Sequence, residues 1–278
     1  MEFKEVLEKY LENNKCCERL GLSIEEINGP FKYYLDENRE MPTASTMKLF
    51  VLGALLKRCE RGLEDLDRLV TLKKENFFPG SGVLKYLSSG ISLTVKDLLT
   101  LMIIISDNSA TNLCVDLSMG VGEVNRHIKE LGIENAVVNR KVYDRNPNHL
   151  PLSMVSPLSF TTYLTKIRTT DYFSNTYKEI FFDILSKQQF KDMFPRNLPL
   201  SDFYSDGKVE VMNKTGYDDE VRCDCGIVVL EDKREFAYSI MIDGSLDESF
   251  SFDNKAHHMM GDIGKLFYDF INNNTKRK

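Results

Sequence analysis

Several features are missing from this 278-residue chain, and each absence narrows what it does. No stretch approaches the roughly 20 consecutive apolar residues that a membrane-spanning helix needs. The N-terminal "MEFKEVLEKYLENN" is charged throughout and does not read as a secretory signal. The expectation is a cytoplasmic protein, or one whose signal or anchor lies outside this sequence. Positive charge is not in excess: 36 Lys and Arg stand against 42 Asp and Glu, for a net charge of −6. That argues against nucleic acid or an anionic membrane as partner. The short basic run Lys276-Arg277-Lys278 reads as a solvated terminus.

Metal and redox motifs are missing too. The six cysteines, Cys16, Cys17, Cys59, Cys114, Cys223 and Cys225, form no C-x-x-C. No His/Cys set has zinc spacing, so scattered buried thiols are expected and neither metal nor cofactor. Only four histidines occur, His127, His149, His257 and His258, and there is no G-x-S-x-G. A Ser-His-Asp hydrolase is therefore not expected. His257-His258 reads as a solvated pair opening the last helix.

What is present begins with an amphipathic helix over 2–13. Two strand candidates, "LGLSIEEI" and "FKYYLD", flank Asn28-Gly29-Pro30, a sequence suited to a hairpin turn. Residues 46–61 are apolar nearly all round and predict a buried helix stopped by Gly62. A second buried helix is expected over 95–105, with Thr94 and Asp97 as its capping pair. Further helical patterns cover 109–118, 121–131, 157–168 and 175–190. From residue 208 three β-rich segments follow, "KVEVMNK", "CGIVVLE" and "EFAYSIMID", and a last helix over 255–272.

This order fits a two-lobed α/β fold. An antiparallel five-stranded sheet is built from both chain ends and flanked by the N- and C-terminal helices, with an all-helical domain inserted. The α/β domain would comprise residues 1–43 and 195–278 and the helical domain residues 44–194. The active site would lie in the cleft between them.

Three short motifs carry chemistry. "MPTASTMKLF" contains Ser45 and Lys48 at the mouth of the first buried helix. Positions i and i+3 share a helix face, so hydroxyl and amine can meet. The helix N-terminus favours negative charge on the serine oxygen, and burial would give a lysine that accepts its proton. A helix cap with a lysine reaching to solvent is the plainer alternative. Chance supplies about one S-x-x-K in a chain of this length, and Ser205-Asp206-Gly207-Lys208 is a second, set in a polar loop with no helix behind it.

Ser106-Asp107-Asn108 follows directly on "LLTLMIII". A polar triplet there lines a cleft or makes a C-terminal turn. Lys214-Thr215-Gly216 ends the predicted strand "VEVMNK". It offers an ammonium, a hydroxyl and an open backbone to a carboxylate, or is simply a strand-ending turn.

The three motifs in this order resemble the S-x-x-K, S-D-N and K-T-G set of class A β-lactamases and penicillin-binding proteins. Their separations of 61 and 108 residues, and the segments "PGSGVL", "LMIIISDNSATN" and "VRCDCGIVVL", are similar to that family as well. The resemblance implies roles residue by residue. Ser45 would be the acylated nucleophile and Lys48 its base. Ser106 would pass a proton to the leaving nitrogen. Asn108 would hold the substrate's side-chain amide. Lys214, Thr215 and Gly216 would form the carboxylate subsite. The backbone N–H groups of Ser45 and Tyr217 would form the oxyanion hole. Asp224 resembles a structural position of the family. Arg222 would either add charge to the carboxylate subsite or serve a surface or paired role.

One family feature is missing. Class A enzymes carry Glu-x-x-x-Asn on a loop between the second and third motifs, and that glutamate directs the deacylating water. Residues 140–157 read "RKVYDRNPNHLPLSMVSP", with no glutamate. Asp144 and Asn148 keep a carboxylate four residues before an asparagine. Asp144 is then the deacylating base, with Asn148 beside the substrate, or a turn residue next to Asn146-Pro147. The expectation is a monomeric, metal-independent serine hydrolase opening β-lactam amides. Two alternatives stay open: a D-alanyl peptidase or esterase on the same scaffold, and a penicillin-binding or sensor protein that is acylated without turnover. The ligand is a small molecule, a β-lactam or a D-Ala-D-Ala-like peptide.

Overall fold

A computed structural model describes residues 2–144, 150–202 and 205–275. Helix α1 (Phe3–Asn13) leads into strands β1 (Cys17–Glu26) and β2 (Lys32–Leu35). These two pair antiparallel around a turn in which Asn28 takes a φ of +61°. Two-residue β3 (Met41–Pro42) precedes a 3-10 turn (Ala44–Met47) that runs straight into α2 (Lys48–Glu60). The predicted buried helix is present, but its first turn is wound more tightly than an α-helix.

Strands β4 (Leu69–Thr71) and β5 (Ser92–Thr94) form a small ribbon. Helices α3 (Val95–Ile104), α4 (Asn108–Leu117) and α5 (Val121–Glu130) follow. The Thr94–Asp97 capping box starts α3 as expected. Strands β6 (Ala136–Val138) and β7 (Ser153–Val155) join β3 in a three-stranded sheet that the sequence pattern did not reveal. Helix α6 (Pro157–Thr169) is capped by the Ser156 hydroxyl, with proline in its first turn. Helix α7 (Asn175–Ser186) ends earlier than the predicted 190. Gln188 leaves the helix and donates to the Ile103 carbonyl at 2.9 Å.

The short pair β8 (Ser201–Asp202) and β9 (Ser205–Asp206) precedes β10 (Glu210–Asp218), β11 (Val221–Val229) and β12 (Glu235–Ser245). Helix α8 (Lys255–Thr275) closes the chain. The main sheet is antiparallel throughout, in the order β10-β11-β12-β1-β2. The five-stranded sheet built from both chain ends is thus the observed architecture.

Helices cover both faces of the sheet, so β11 is buried along almost its whole length rather than alternating. One core joins α1 and α8 to the outer face. Phe3 meets Tyr33 edge-on at 4.9 Å, and Phe267 meets Phe236 at 5.1 Å. The other core gathers α2 to α7 around α2, whose Leu49, Phe50, Val51, Leu52, Leu55 and Leu56 are fully buried. Burying one such side chain contributes about 1.5–3 kcal/mol. That is why the sequence carries apolar residues on every side of this helix. All six cysteines are buried free thiols. No helix among the described residues is long and apolar enough to cross a membrane.

The K-T-G motif does not end its strand. Strand β10 continues to Asp218, because residues 214–218 pair with Val221–Cys225 of β11. The motif therefore sits inside a rigid ladder. His257 also departs from expectation. It is buried, with Nδ1 3.0 Å from an Asp192 carboxylate oxygen, while His258 is exposed.

Candidate active site

Ser45 stands in the 3-10 turn that opens α2, half-buried and lining a cleft of about 500 Å³. The turn is pinned from both ends. Thr46 Oγ1 donates to the Thr43 carbonyl at 2.8 Å, and the Thr43 hydroxyl bonds the Ser153 hydroxyl on β7. Ala44 beside the serine takes a φ of +46°, a strained conformation for a residue with a Cβ. Such strain persists only where the surroundings impose it.

Lys48 lies one turn further on and is fully buried. Its Nζ lies 2.9 Å from Ser106 Oγ, 2.8 Å from the Ser106 carbonyl oxygen and 3.0 Å from Asn108 Oδ1. Lys214 enters the same centre from β10, with Nζ 3.2 Å from Ser106 Oγ and 2.7 Å from the Thr215 carbonyl. Ser106 thus bridges two buried amines. It sits between α3 and α4 at a φ of +57°, so the second motif is a strained connector that aims its hydroxyl inward.

The electrostatics follow from this crowding. Burial, and then the positive charge of Lys214, hold Lys48 well below the usual lysine range. Burial pushes Lys214 down to about 7. A lysine neutral near pH 7 is a proton acceptor, whereas an exposed one is not.

The start of α2 packs against Gly216. A Cβ there would lie 2.6 Å from the Thr43 carbonyl oxygen and 2.8 Å from the amide nitrogens of Ser45 and Thr46. Only a glycine lets β10 press this close to the start of α2. The approach sets Tyr217, which lines the cleft, beside Ser45. The Thr215 hydroxyl is buried without a hydrogen-bond partner.

The other wall depends on residues that motif reading passed over. Asp107 caps α4 by accepting from the Ala110 amide at 3.0 Å. Its second oxygen accepts from the amides of Val83 at 2.7 Å and Leu84 at 2.9 Å, tying the "PGSG" rim to the second motif. Asn112 on α4 holds the backbone of Val142. The segment so fixed presents Arg140, Val142 and Tyr143 to the cleft. A repeat of side-chain amides in "SDNSATN" was the only sequence hint of this clasp.

Asp144 is not presented there. It is exposed at the end of a turn, with its amide 3.3 Å from the Lys141 carbonyl, and it does not line the cleft. Asn148 lies outside the described residues. Among the described residues, Asp218 supplies the only carboxylate lining the cleft, from the far end of β10.

Arg222 does not reach the cleft. Its guanidinium is buried on backbone carbonyls, with Nη1 on Asp218, Asp219 and Val221 and Nη2 on Ser249 at 2.8 Å. It shapes the β10–β11 turn. Asp224 is buried under the third motif, accepting from Asn213 Nδ2 at 2.9 Å and the Tyr238 hydroxyl at 3.1 Å. Burial pushes its carboxyl up to about 7.

The structure therefore brings Lys48, Ser106, Asn108 and Lys214 to one buried point, with Gly216 against the amides of Ser45 and Thr46, and Ser45, Asn108 and Tyr217 lining one cleft. The chain is also similar to known proteins over nearly its whole length. The chain is 24% identical to β-lactamase BRO-1 of Moraxella catarrhalis over 273 residues, 97% of this chain and 84% of that one. The crystal structure of a β-lactamase from Sphaerobacter thermophilus superposes with a TM-score of 0.85 at 24% identity, covering 96% of this chain and 97% of that one. The L158E mutant of PBP-A, solved as an acyl-enzyme complex with penicillin G, superposes with a TM-score of 0.84 at 21% identity over 98% and 96% of the two chains. Residues 2–271 match the β-lactamase enzyme family. The chain belongs to that family, as a distant relative of its class A members.

Proposed function

We propose that this protein is acylated by β-lactams at Ser45 and releases the product slowly, acting more as a penicillin-binding protein than as an efficient lactamase. In the acylation step Ser45 Oγ attacks the lactam carbonyl and its proton passes to the neutral Lys48 amine. The developing oxyanion lies between the amides of Ser45 and Tyr217. The lactam C–N bond breaks, and Ser106 delivers a proton to the departing nitrogen. The ammonium of Lys214 holds the substrate carboxylate. Asn108 receives the side-chain amide.

The single observation behind slow release is the set of side chains facing the cleft from 140–144, which holds Arg140, Val142 and Tyr143 but no carboxylate. With no carboxylate offered by this segment to take its proton, water would attack the Ser45 ester poorly. The acyl-enzyme of the structurally similar PBP-A L158E mutant with penicillin G supports the first half of the reading. The test is to mix the protein with benzylpenicillin and follow intact mass against time. A Ser45 adduct that persists for many minutes supports the proposal. Rapid return to the free mass with steady product release would favour an efficient lactamase. Hydrolysis of D-alanyl peptides or simple esters, without β-lactam labelling, would favour the peptidase or esterase.

A further inference from the structure

Tyr143 is an aromatic residue on the cleft wall with a strained backbone that the acylation step leaves unused. Its φ is +58°, a left-handed conformation costly for an aromatic residue. The strain is held in place from both sides. The clasp of Asn112 fixes Val142, and the Asp144 amide closes the turn on the Lys141 carbonyl. Lys141 is itself tied to Asp116 at 2.8 Å. The segment therefore fixes the backbone from which this half-exposed ring projects.

The ring reaches the opposite rim. A Cβ on Gly80 would lie 2.4 Å from the Tyr143 hydroxyl oxygen and 2.7 Å from Asn108 Nδ2. The phenol tip, the rim glycine and the amide-binding asparagine thus meet at one point. Gly80 has a φ of +79° and leaves the space the phenol fills. Across the cleft stand Tyr217 and Phe250, with ring centroids 6.4 Å apart, and Phe250 is backed by the Arg222 guanidinium at 5.5 Å. Asn108 thus lines the same cleft as the rings of Tyr143, Tyr217 and Phe250.

We propose that Tyr143, seated against Gly80, is a steric gate that sets substrate specificity. It admits β-lactams with a flat, unbranched aryl side chain and excludes those crowded next to the side-chain amide. This inference rests on the Ser45 acylation reading above. Tyr143 selects by bulk, so its hydroxyl is dispensable for selection.

The test measures acylation rate constants by intact mass for benzylpenicillin and for a penicillin bearing a 2,6-dimethoxyphenyl side chain. Tyr143→Gly removes the ring while suiting the left-handed backbone. It is expected to move the rate ratio toward the crowded penicillin by on the order of tenfold or more. Tyr143→Phe is expected to keep the wild-type ratio. An unchanged ratio in Tyr143→Gly overturns the gate, as does a Tyr143→Phe variant that loses selection as fully as the glycine. Failure of both penicillins to label the wild-type protein overturns the acylation reading itself, a result distinct from labelling without selection.

Discussion

Asn112 clasps the backbone of Val142 from both sides, with Nδ2 donating to its carbonyl at 2.9 Å and Oδ1 accepting from its amide at 3.0 Å. The clasp fixes the segment from which Arg140, Val142 and Tyr143 line the cleft that holds Ser45. A carboxylate at position 142 would face that cleft and offer a base to water. Val142→Glu is expected to raise the rate of acyl-enzyme hydrolysis by on the order of a hundredfold, with acylation little changed. Single-turnover mass spectrometry measures both. An adduct as long-lived as that of wild type would show that the missing carboxylate is not what limits release.

Asp144 provides the matching control. Its side chain is exposed and off the cleft. Asp144→Asn is therefore expected to leave deacylation within about twofold of wild type, as for surface changes in general. A stalled adduct in this variant alone would restore Asp144 as the base.

The pH dependence of acylation reports on Lys214. Its pKa is pushed down to about 7 by burial, from an unfolded value near 10.4. The ammonium that binds a carboxylate is lost as pH rises through about 7, so acylation efficiency should fall on the alkaline side. Lys214→Arg keeps its charge at all these pH values, and the alkaline fall should disappear even if the overall rate drops. Stability moves the other way. Between about 7 and 10 the unfolded chain binds the extra proton, so this lysine destabilises the fold most below pH 7, and the penalty fades as pH rises. The stability gained in Lys214→Met should therefore shrink from pH 6 to pH 9 in urea titrations.

Gly216 sets how closely β10 approaches α2. Its hypothetical Cβ would clash with the Thr43 carbonyl and the amides of Ser45 and Thr46. Gly216→Ala is expected to cost about 1–3 kcal/mol of stability. Moving the Tyr217 amide out of line should lower the acylation rate by a further 10²–10³. Wild-type acylation in a folded Gly216→Ala protein would remove Tyr217 from the oxyanion hole.

Much of this was legible in the sequence, for physical reasons. The helix at 46–61 announced itself because burial on every side demands apolar residues throughout. The β10–β12 strands were visible because their β-branched and aromatic residues suit a doubly covered sheet. Ser45, Lys48, Ser106 and Lys214 were found as motif members, and the last three meet at one buried point. What was hidden depends on contacts across long separations. Asn112 and Val142 are 30 residues apart, and nothing local marks the pairing. The tight first turn at Ala44 and the strained connector at Ser106 are imposed by packing against β10 and have no local signature. Asp144 was singled out by a one-dimensional spacing to Asn148, which cannot tell which residue the chain turns toward the cleft. His257 was misjudged because its neighbour Asp192 lies in a distant segment that buries it.

The most direct measurement is the intact mass of the protein after mixing with a chromogenic cephalosporin, followed together with colour. The expected result is a burst of colour of about one equivalent, a stable covalent adduct on Ser45, and neither burst nor adduct in Ser45→Ala. Sustained turnover with no accumulating adduct would contradict slow release. An adduct of undiminished yield in Ser45→Ala would contradict the central claim that Ser45 is the nucleophile.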